Sequence, residues 1–288
     1  MLINSIPQGF LLFGKEIRFY GIISALAYFL GVLITCLIAK KRGFRSDDIL
    51  TLACYVIPLA IIGARVYYVL FNLKEYTSFV EVLEIWKGGL AFYGGLIGGA
   101  LGVGIYCLIH KKNFFALIDL IAVAMILSQA IGRWGNFFNQ EAYGAPVTNP
   151  KLQWFPFSVY IDESHVLAGQ TAGWYQATFF YESMWNLATF AVLFTLLNKV
   201  KFKANGMVAA YYLVLYGTGR CIIEGLRTDS LYIGPIRVSQ LLSGVFIALG
   251  LTYIIVNAIK NRNKEPLTYS VPEKEAKPKK NKKEKNVQ

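Results

Sequence analysis

Hydrophobic residues run in seven blocks of roughly twenty, near residues 19–39, 50–72, 88–110, 114–133, 177–198, 207–227 and 238–259. A helix rising about 1.5 Å per residue needs that length to cross a hydrocarbon layer of about 30 Å. The pattern therefore predicts an all-α polytopic membrane protein with seven transmembrane helices in one domain, residues 1–260. Pro58 and Gly63 interrupt the second block, and Gly94, Gly95, Gly98, Gly99, Gly102 and Gly104 give the third overlapping small-xxx-small spacings that let helices approach closely. The longest connection, 134–176, is rich in aromatics, Gly, Pro and Asn and carries Trp154 and Trp174. It predicts a small external cap, because backbone amides left unpaired in lipid cost several kcal/mol each. Residues 261–288 shift to Lys, Glu, Pro and Asn without aliphatic periodicity, which predicts a disordered basic tail.

Composition narrows the class. At 55% hydrophobic and 16% charged over 288 residues, a water-soluble enzyme is excluded. The net charge of +12 is of the size a nucleic-acid binder carries, but its placement argues against that. Ten Lys or Arg lie between Lys260 and Lys285, and nine more occupy the connections at Lys40–Arg45, Lys111–Lys112 and Lys199–Lys203. In a seven-span chain these segments share one side, so 19 of 29 basic residues crowd there. The positive-inside rule then expects the N-terminus outside and the tail in the cytoplasm. No basic leader precedes the first block, so no cleaved signal peptide is expected. Cys36, Cys54, Cys107 and Cys221 sit one per block without C-x-x-C spacing, and His110 and His165 are the only histidines. Neither a disulfide frame, a metal centre nor a Ser-His-Asp triad is expected.

The informative residues are the charges inside the blocks: Arg65, Arg133, Arg220 and Arg227 against Asp119, Glu182 and Glu224. Each costs about 2.5 to 3.5 kcal/mol to insert and is a functional hypothesis by default. With alternate spans running inward and outward, Tyr20, Arg65, Tyr93, Arg133, Glu182 with Asn186, Arg220, Arg227 and Gln240 all fall in the outer half, and Asp119 alone in the inner half. Arg220, Glu224 and Arg227 stand at i, i+4 and i+7, which allows a plain ion-pair ladder. Counting Arg133 and Glu141 with them leaves surplus positive charge, and guanidinium forks suit a phosphate. At that depth the available anion is a phospholipid headgroup. A transporter or channel for a small anion would also want buried arginines, but it calls for a site near the midplane between repeated halves. No repeat is visible.

The stretch Gly132-Arg133-Trp134-Gly135-Asn136-Phe137-Phe138-Asn139-Gln140-Glu141-Ala142-Tyr143-Gly144 resembles the signature G-R-x-G-N-F-x-N-x-E-x-x-G of bacterial prolipoprotein diacylglyceryl transferases. The resemblance continues through Phe19-Tyr20-Gly21, Gly63-Ala64-Arg65, Phe92 to Gly98, Asp119, Tyr181-Glu182-Ser183, Arg220 to Arg227 and Ser239-Gln240. It implies a seven-helix enzyme of the bacterial plasma membrane, open to the outer leaflet and needing no metal or organic cofactor. Its partners would be phosphatidylglycerol and prolipoprotein signal peptides with a lipobox cysteine. The enzyme would move a diacylglyceryl group onto that cysteine as a thioether and release glycerol phosphate. The implied catalytic residues are Arg133, Arg220, Glu141 and Tyr93. The implied lipid-binding residues are Arg133, Arg220, Asn136, Asn139, Tyr20, Gly144, Arg227 and Glu224. Gly135 and Gly144 are expected to permit backbone turns. One departure concerns the base: well-known members carry His where this chain has Tyr93, and a phenol near pKa 10 is a weak base toward a thiol near 8.5. Glu141, a lipid-bound water or a cationic environment that acidifies the thiol remain alternatives.

Overall fold

The computed structural model describes residues 6–270 except 77, 86 and 87. Every apolar block is a helix. These are α1 (Phe19–Ile38), α2 (Ser46–Phe71), α4 (Phe92–Ile109), α5 (Phe114–Asn139), α6 (Thr178–Lys199), α7 (Met207–Glu224) and α8 (Val238–Lys260), with a short α3 (Phe79–Leu83) between α2 and α4. Five of them, α1, α2, α5, α6 and α8, are long and apolar enough to cross a membrane. The other two fall short for different reasons. Helix α4 offers a shorter apolar stretch, Tyr93–Ile109, whereas α7, 18 residues long, carries Arg220 and Glu224 among its apolar residues.

Helix α5 is the hub, packed against α1, α6 and α7, while α2 pairs with α4 and α7 with α8. The α2–α4 seam needs glycine: a Cβ on Gly98 would lie 2.1 Å from the Leu59 carbonyl oxygen. This is the close approach expected of the small-xxx-small pattern. At one end of the bundle, Asp119 is fully buried and accepts hydrogen bonds from Arg42 Nε (3.1 Å) and from the backbone N–H groups of Gly206 (3.0 Å) and Ala209 (3.0 Å). A carboxylate on the unpaired amides at the start of α7 meets both their orphan donors and the helix dipole.

At the same end, the chain beyond α8 folds back onto the bundle. Leu267 N–H bonds the Phe202 carbonyl (2.9 Å), Tyr269 Oη bonds Asn205 Oδ1 (2.6 Å), and the Arg42 guanidinium lies 5.2 Å from the Tyr269 ring centroid. The structureless tail expected from residue 261 thus starts with ten residues that are placed, because the Leu267 backbone and the Tyr269 side chain anchor them to the bundle. Residues 271–288 lie outside the described residues.

The opposite end carries the cap. Here α5 continues past Arg133 to Asn139, so the cap begins after Gln140 and not at 134. The extension is held by aromatic packing, with Trp134 and Phe137 against Phe179 at ring separations of 5.7 and 5.3 Å. Gln140 ends the helix with φ 50° and exchanges side-chain bonds with Asp162, to Oδ2 at 2.7 Å and from the backbone N–H at 2.8 Å. Strands β3 (Ser158–Ile161) and β4 (Gly173–Gln176) form an antiparallel hairpin over a small core of Tyr143, Val159, Ile161, Tyr175, Ala177 and Phe179. Two further hairpins lead into helices at this end: β1 (Gly9–Leu12) with β2 (Lys15–Arg18) into α1, and β5 (Tyr232–Ile233) with β6 (Ile236–Arg237) into α8.

Candidate active site

At the cap end of the bundle three helices bring their charges into contact. Arg133 Nη2 of α5 lies 2.8 Å from Glu182 Oε1 of α6, and Arg220 Nη1 of α7 lies 3.1 Å from the other oxygen of the same carboxylate. Arg220 Nη2 in turn lies 2.6 Å from Glu224 Oε2, one turn along α7, and 3.4 Å from Ser239 Oγ of α8. The result is a chain of alternating charge, Arg133–Glu182–Arg220–Glu224. Burial is unequal along it: the Arg133 and Arg220 side chains keep 22% and 15% of their exposure, the Glu182 and Glu224 side chains 3% and 2%. The carboxylates thus form a buried backing, and the guanidiniums are the more accessible part of the cluster.

Around Arg133 the signature residues form one polar patch. Arg133 Nη1 bonds Asn136 Oδ1 (3.3 Å), and the amide nitrogens of Asn136 (2.7 Å) and Asn139 (3.3 Å) both donate to Glu141 Oε1. Glu141 is exposed and held on two sides, an arrangement that keeps its carboxylate aimed. Tyr20, at the start of α1, packs its ring on Gly135: a Cβ there would stand 2.6 Å from Tyr20 Cδ2. Its phenol is within electrostatic reach of Glu141 and Arg133. Gly135 is therefore required for close approach inside a continuous helix, not for a turn. Gly144 is corrected in the same way, since a Cβ there would lie 2.7 Å from Gln176 Oε1 and 2.9 Å from the Leu226 carbonyl oxygen.

Gly144 also pairs in an antiparallel bridge with Arg227, which brings the loop after α7 to the end of the signature. Arg227 does not complete the ladder with Glu224. It lies beyond the end of α7 and grips Asp229 bidentately, Nε to Oδ1 at 2.9 Å and Nη2 to Oδ2 at 2.6 Å. Burial opposes ionisation of Asp229, but the hydrogen-bonded Arg227 beside it outweighs this and holds the carboxyl below the usual aspartate range. Burial likewise works against the charge on Arg227, and the Asp229 partner raises its pKa despite it.

Three expectations change. The cluster has no surplus positive charge of its own, because Glu182 and Glu224 match Arg133 and Arg220 and Asp229 matches Arg227. Arg65 stands apart from it, donating to the carbonyl oxygens of Glu81, Val82, Gly88 and Gly89 at 2.7 to 3.0 Å, with its guanidinium 5.3 Å from the Tyr76 ring centroid. An intramembrane arginine can thus be spent on the carbonyls of an irregular connection. Tyr93, in the first turn of α4, stands within electrostatic range of Tyr216, whose phenol is also within range of Glu182, Arg133 and Arg220. Among the described residues no group of three or more His, Cys, Asp or Glu is placed to hold a metal ion.

The sequence profile of the prolipoprotein diacylglyceryl transferases matches residues 7–256. The chain belongs to the prolipoprotein diacylglyceryl transferase family. It is 43% identical over 258 residues to phosphatidylglycerol–prolipoprotein diacylglyceryl transferase 1 of Clostridium perfringens, covering 90% of this chain and 97% of that protein. The phosphatidylglycerol–prolipoprotein diacylglyceryl transferases of Streptococcus suis (41% identical) and Streptococcus pneumoniae (43%) each align over 260 residues, 90% of this chain and 95% of theirs.

Sequence reasoning singled out Glu182 among the charges inside the apolar blocks but did not make it the bridge between the two arginines. The signal was present, since a carboxylate inside an apolar block must find a cation, though Arg65, Arg133 and Arg220 all qualified by sequence. Asp229 and Tyr216 were missed altogether. Asp229 left a local signal, two residues after Arg227, while Tyr216 at i−4 from Arg220 read as one more aromatic in an apolar helix.

Proposed function

We propose that the chain transfers the diacylglyceryl group of phosphatidylglycerol to the lipobox cysteine of prolipoproteins, the first step of lipoprotein maturation. In this reading it is a seven-span enzyme of the bacterial plasma membrane, with the cap and the Arg133–Arg220 cluster facing the outer leaflet and the Arg42–Asp119 end facing the cytoplasm. The basic connections on the Arg42 side support that orientation. Family membership favours transfer over the anion transporter.

The cysteine thiol loses its proton to a base, and the sulfur attacks the glyceryl carbon that bears the phosphate. A carbon–sulfur bond forms, the carbon–oxygen bond breaks, and its electron pair leaves with the phosphate as glycerol phosphate. Negative charge therefore grows on the departing phosphate. Arg133 and Arg220, fixed from behind by Glu182, meet that charge without reorganising, which is the form of stabilisation worth most in a water-poor site. The observation that carries this reading is the shared Glu182 carboxylate: it holds two guanidiniums together, as one phosphate would, and leaves them as the accessible part of the cluster. Glu141, exposed and oriented by Asn136 and Asn139, suits the base better than Tyr93, and Tyr20 suits a hydrogen bond to the headgroup. Arg227, tied to Asp229, fixes the loop that carries the Gly144 bridge. Purified protein with labelled phosphatidylglycerol and a lipobox peptide tests the activity. Thioether formation with stoichiometric glycerol phosphate is expected, and a well-folded protein that forms neither refutes it.

A further inference from the structure

Beneath the charge cluster lies a second polar layer that no step above uses. Register places it. Arg133 contacts Glu182 and the Ser183 hydroxyl bonds the Ala130 carbonyl (2.8 Å), so α5 and α6 run antiparallel with residue 129 opposite 186. Arg220 contacts Glu182 and Trp185 Nε1 bonds the Leu215 carbonyl (2.9 Å), which sets residue 216 opposite 186 in the same way. Each member of the cluster thus has a polar residue four positions deeper on its own helix: Gln129 under Arg133, Asn186 under Glu182 and Tyr216 under Arg220. Gln129 spends its amide on Tyr212 Oη (3.0 Å). Asn186 is 1% exposed, and neither its Oδ1 nor its Nδ2 has a hydrogen-bond partner among the described residues. An amide with two donors and two acceptor lone pairs does not stay unsatisfied in an apolar bundle, and buried water is the general remedy where the surroundings are polar.

We propose that Asn186 is a positioning residue for transfer, seating buried water against the Glu182 carboxylate and thereby fixing the two arginines that Glu182 holds. Side chains at i and i+4 stand about 5 to 6 Å apart between Cβ atoms, a span that one water bridges with two hydrogen bonds. The water accepts from Asn186 Nδ2 and donates to Glu182, whose two oxygens are otherwise engaged sideways by Arg133 and Arg220. Glu182 then has support along its own helix as well as across the bundle, and it cannot follow a phosphate that pulls on either guanidinium. The proposal rests on the reading of the cluster as the phosphate site.

The test compares wild type, Asn186→Leu, Asn186→Ser and Arg133→Ala, full-length and purified, in the phosphatidylglycerol and lipobox-peptide assay, with thermal unfolding followed in the same detergent. Leu has the branched shape of Asn and removes the amide together with its need for water, so the unfolding midpoint should be unchanged or higher. Its kcat should nevertheless fall on the order of 10- to 100-fold with KM for phosphatidylglycerol nearly unchanged. Ser, which keeps a hydroxyl and leaves room for a further water, should restore most of the lost kcat. Wild-type kcat in Asn186→Leu, a Ser variant as impaired as Leu, a loss confined to KM, or a Leu variant that fails to fold would each overturn the proposal. Wild-type kcat in Arg133→Ala would instead overturn the phosphate-site reading, and Asn186→Leu at full rate beside an inactive Arg133→Ala would overturn the water seat alone.

Discussion

The two arginines of the cluster should separate catalysis from stability. Arg133→Ala removes a guanidinium whose carboxylate partner, Glu182, keeps Arg220 at 3.1 Å. Arg220→Ala removes the contact of Glu224, whose side chain is 2% exposed and lies 2.6 Å from Arg220 Nη2, and half the support of Glu182. Breaking a buried pair from one side leaves an uncompensated charge and destabilises by about 3 to 5 kcal/mol. The Arg133 change leaves Glu182 and Glu224 sharing Arg220, so each buried carboxylate keeps one guanidinium contact and the cost should be smaller, about 1 to 3 kcal/mol. Turnover should fall about 10²-fold or more in both, the scale of one preorganised transition-state donor. Thermal unfolding in detergent, read beside the transfer rate, tests the difference: Arg133→Ala should be folded and inactive, Arg220→Ala inactive and markedly less stable. Adding Glu224→Gln to Arg220→Ala should recover much of the stability and none of the activity. Lys at either position should rescue poorly, because it lacks the planar fork. Equal destabilisation by the two Ala changes, or activity recovered in the double variant, would refute the division between buried backing and working guanidinium.

Four further outcomes follow from named contacts. Tyr93→Phe should lower kcat/KM by only about 1 to 2 kcal/mol of transition-state stabilisation and Glu141→Gln by more; a dead Phe variant together with an active Tyr93→His whose pH profile moves toward 6.5 would reverse the roles. Asp119→Asn should destabilise by about 3 to 5 kcal/mol, since it strands the buried Arg42, yet leave the transfer rate of the folded fraction near normal; a selective loss of turnover would tie that end to the chemistry. Truncation after Asn263 should lower the unfolding midpoint below that of a chain truncated after Ser270, by removing the Leu267 and Tyr269 anchors, and equal midpoints would contradict their role. Finally, because the folded pKa of Asp229 is depressed, the Arg227–Asp229 clasp should contribute stability fully above the ordinary aspartate value of 3.8 and lose it as pH falls from there through the lowered value. Asp229→Asn should flatten that acid limb of a stability profile, and an unchanged limb would rule the clasp out as its source.

How far the molecule was legible in its sequence varied with the range of the interactions concerned. Helix positions depend on local apolar runs, so all seven blocks became helices, and only their ends moved: α5 ran six residues past Arg133 because Trp134 and Phe137 found partners on α6. The signature fixed Arg133, Asn136, Asn139 and Glu141 within ten residues, and their mutual contacts are short-range. What could not be read was pairing across the bundle. Whether Arg220 meets Glu224, Glu182 or both depends on the register of α6 against α7, and the count of surplus charge failed for that reason. Arg65 looked like Arg133 by depth and charge, but its donors are taken by carbonyls some 16 to 24 residues away, in a connection whose path no periodicity encodes. Gly135 illustrates the same limit from the other side: a glycine needed for a turn and one needed for a tyrosine ring read alike until the neighbouring helix is in place.

The central claim is that Arg133 and Arg220 together receive the phosphate of phosphatidylglycerol. An experimental structure of the protein with that lipid bound tests it most directly. Phosphate oxygens should lie at about 2.7 to 2.9 Å from guanidinium nitrogens of both residues, with Glu182 still behind them. A phosphate seated at Arg65 or Arg227, with Arg133 and Arg220 engaged only by Glu182 and Glu224, would contradict it.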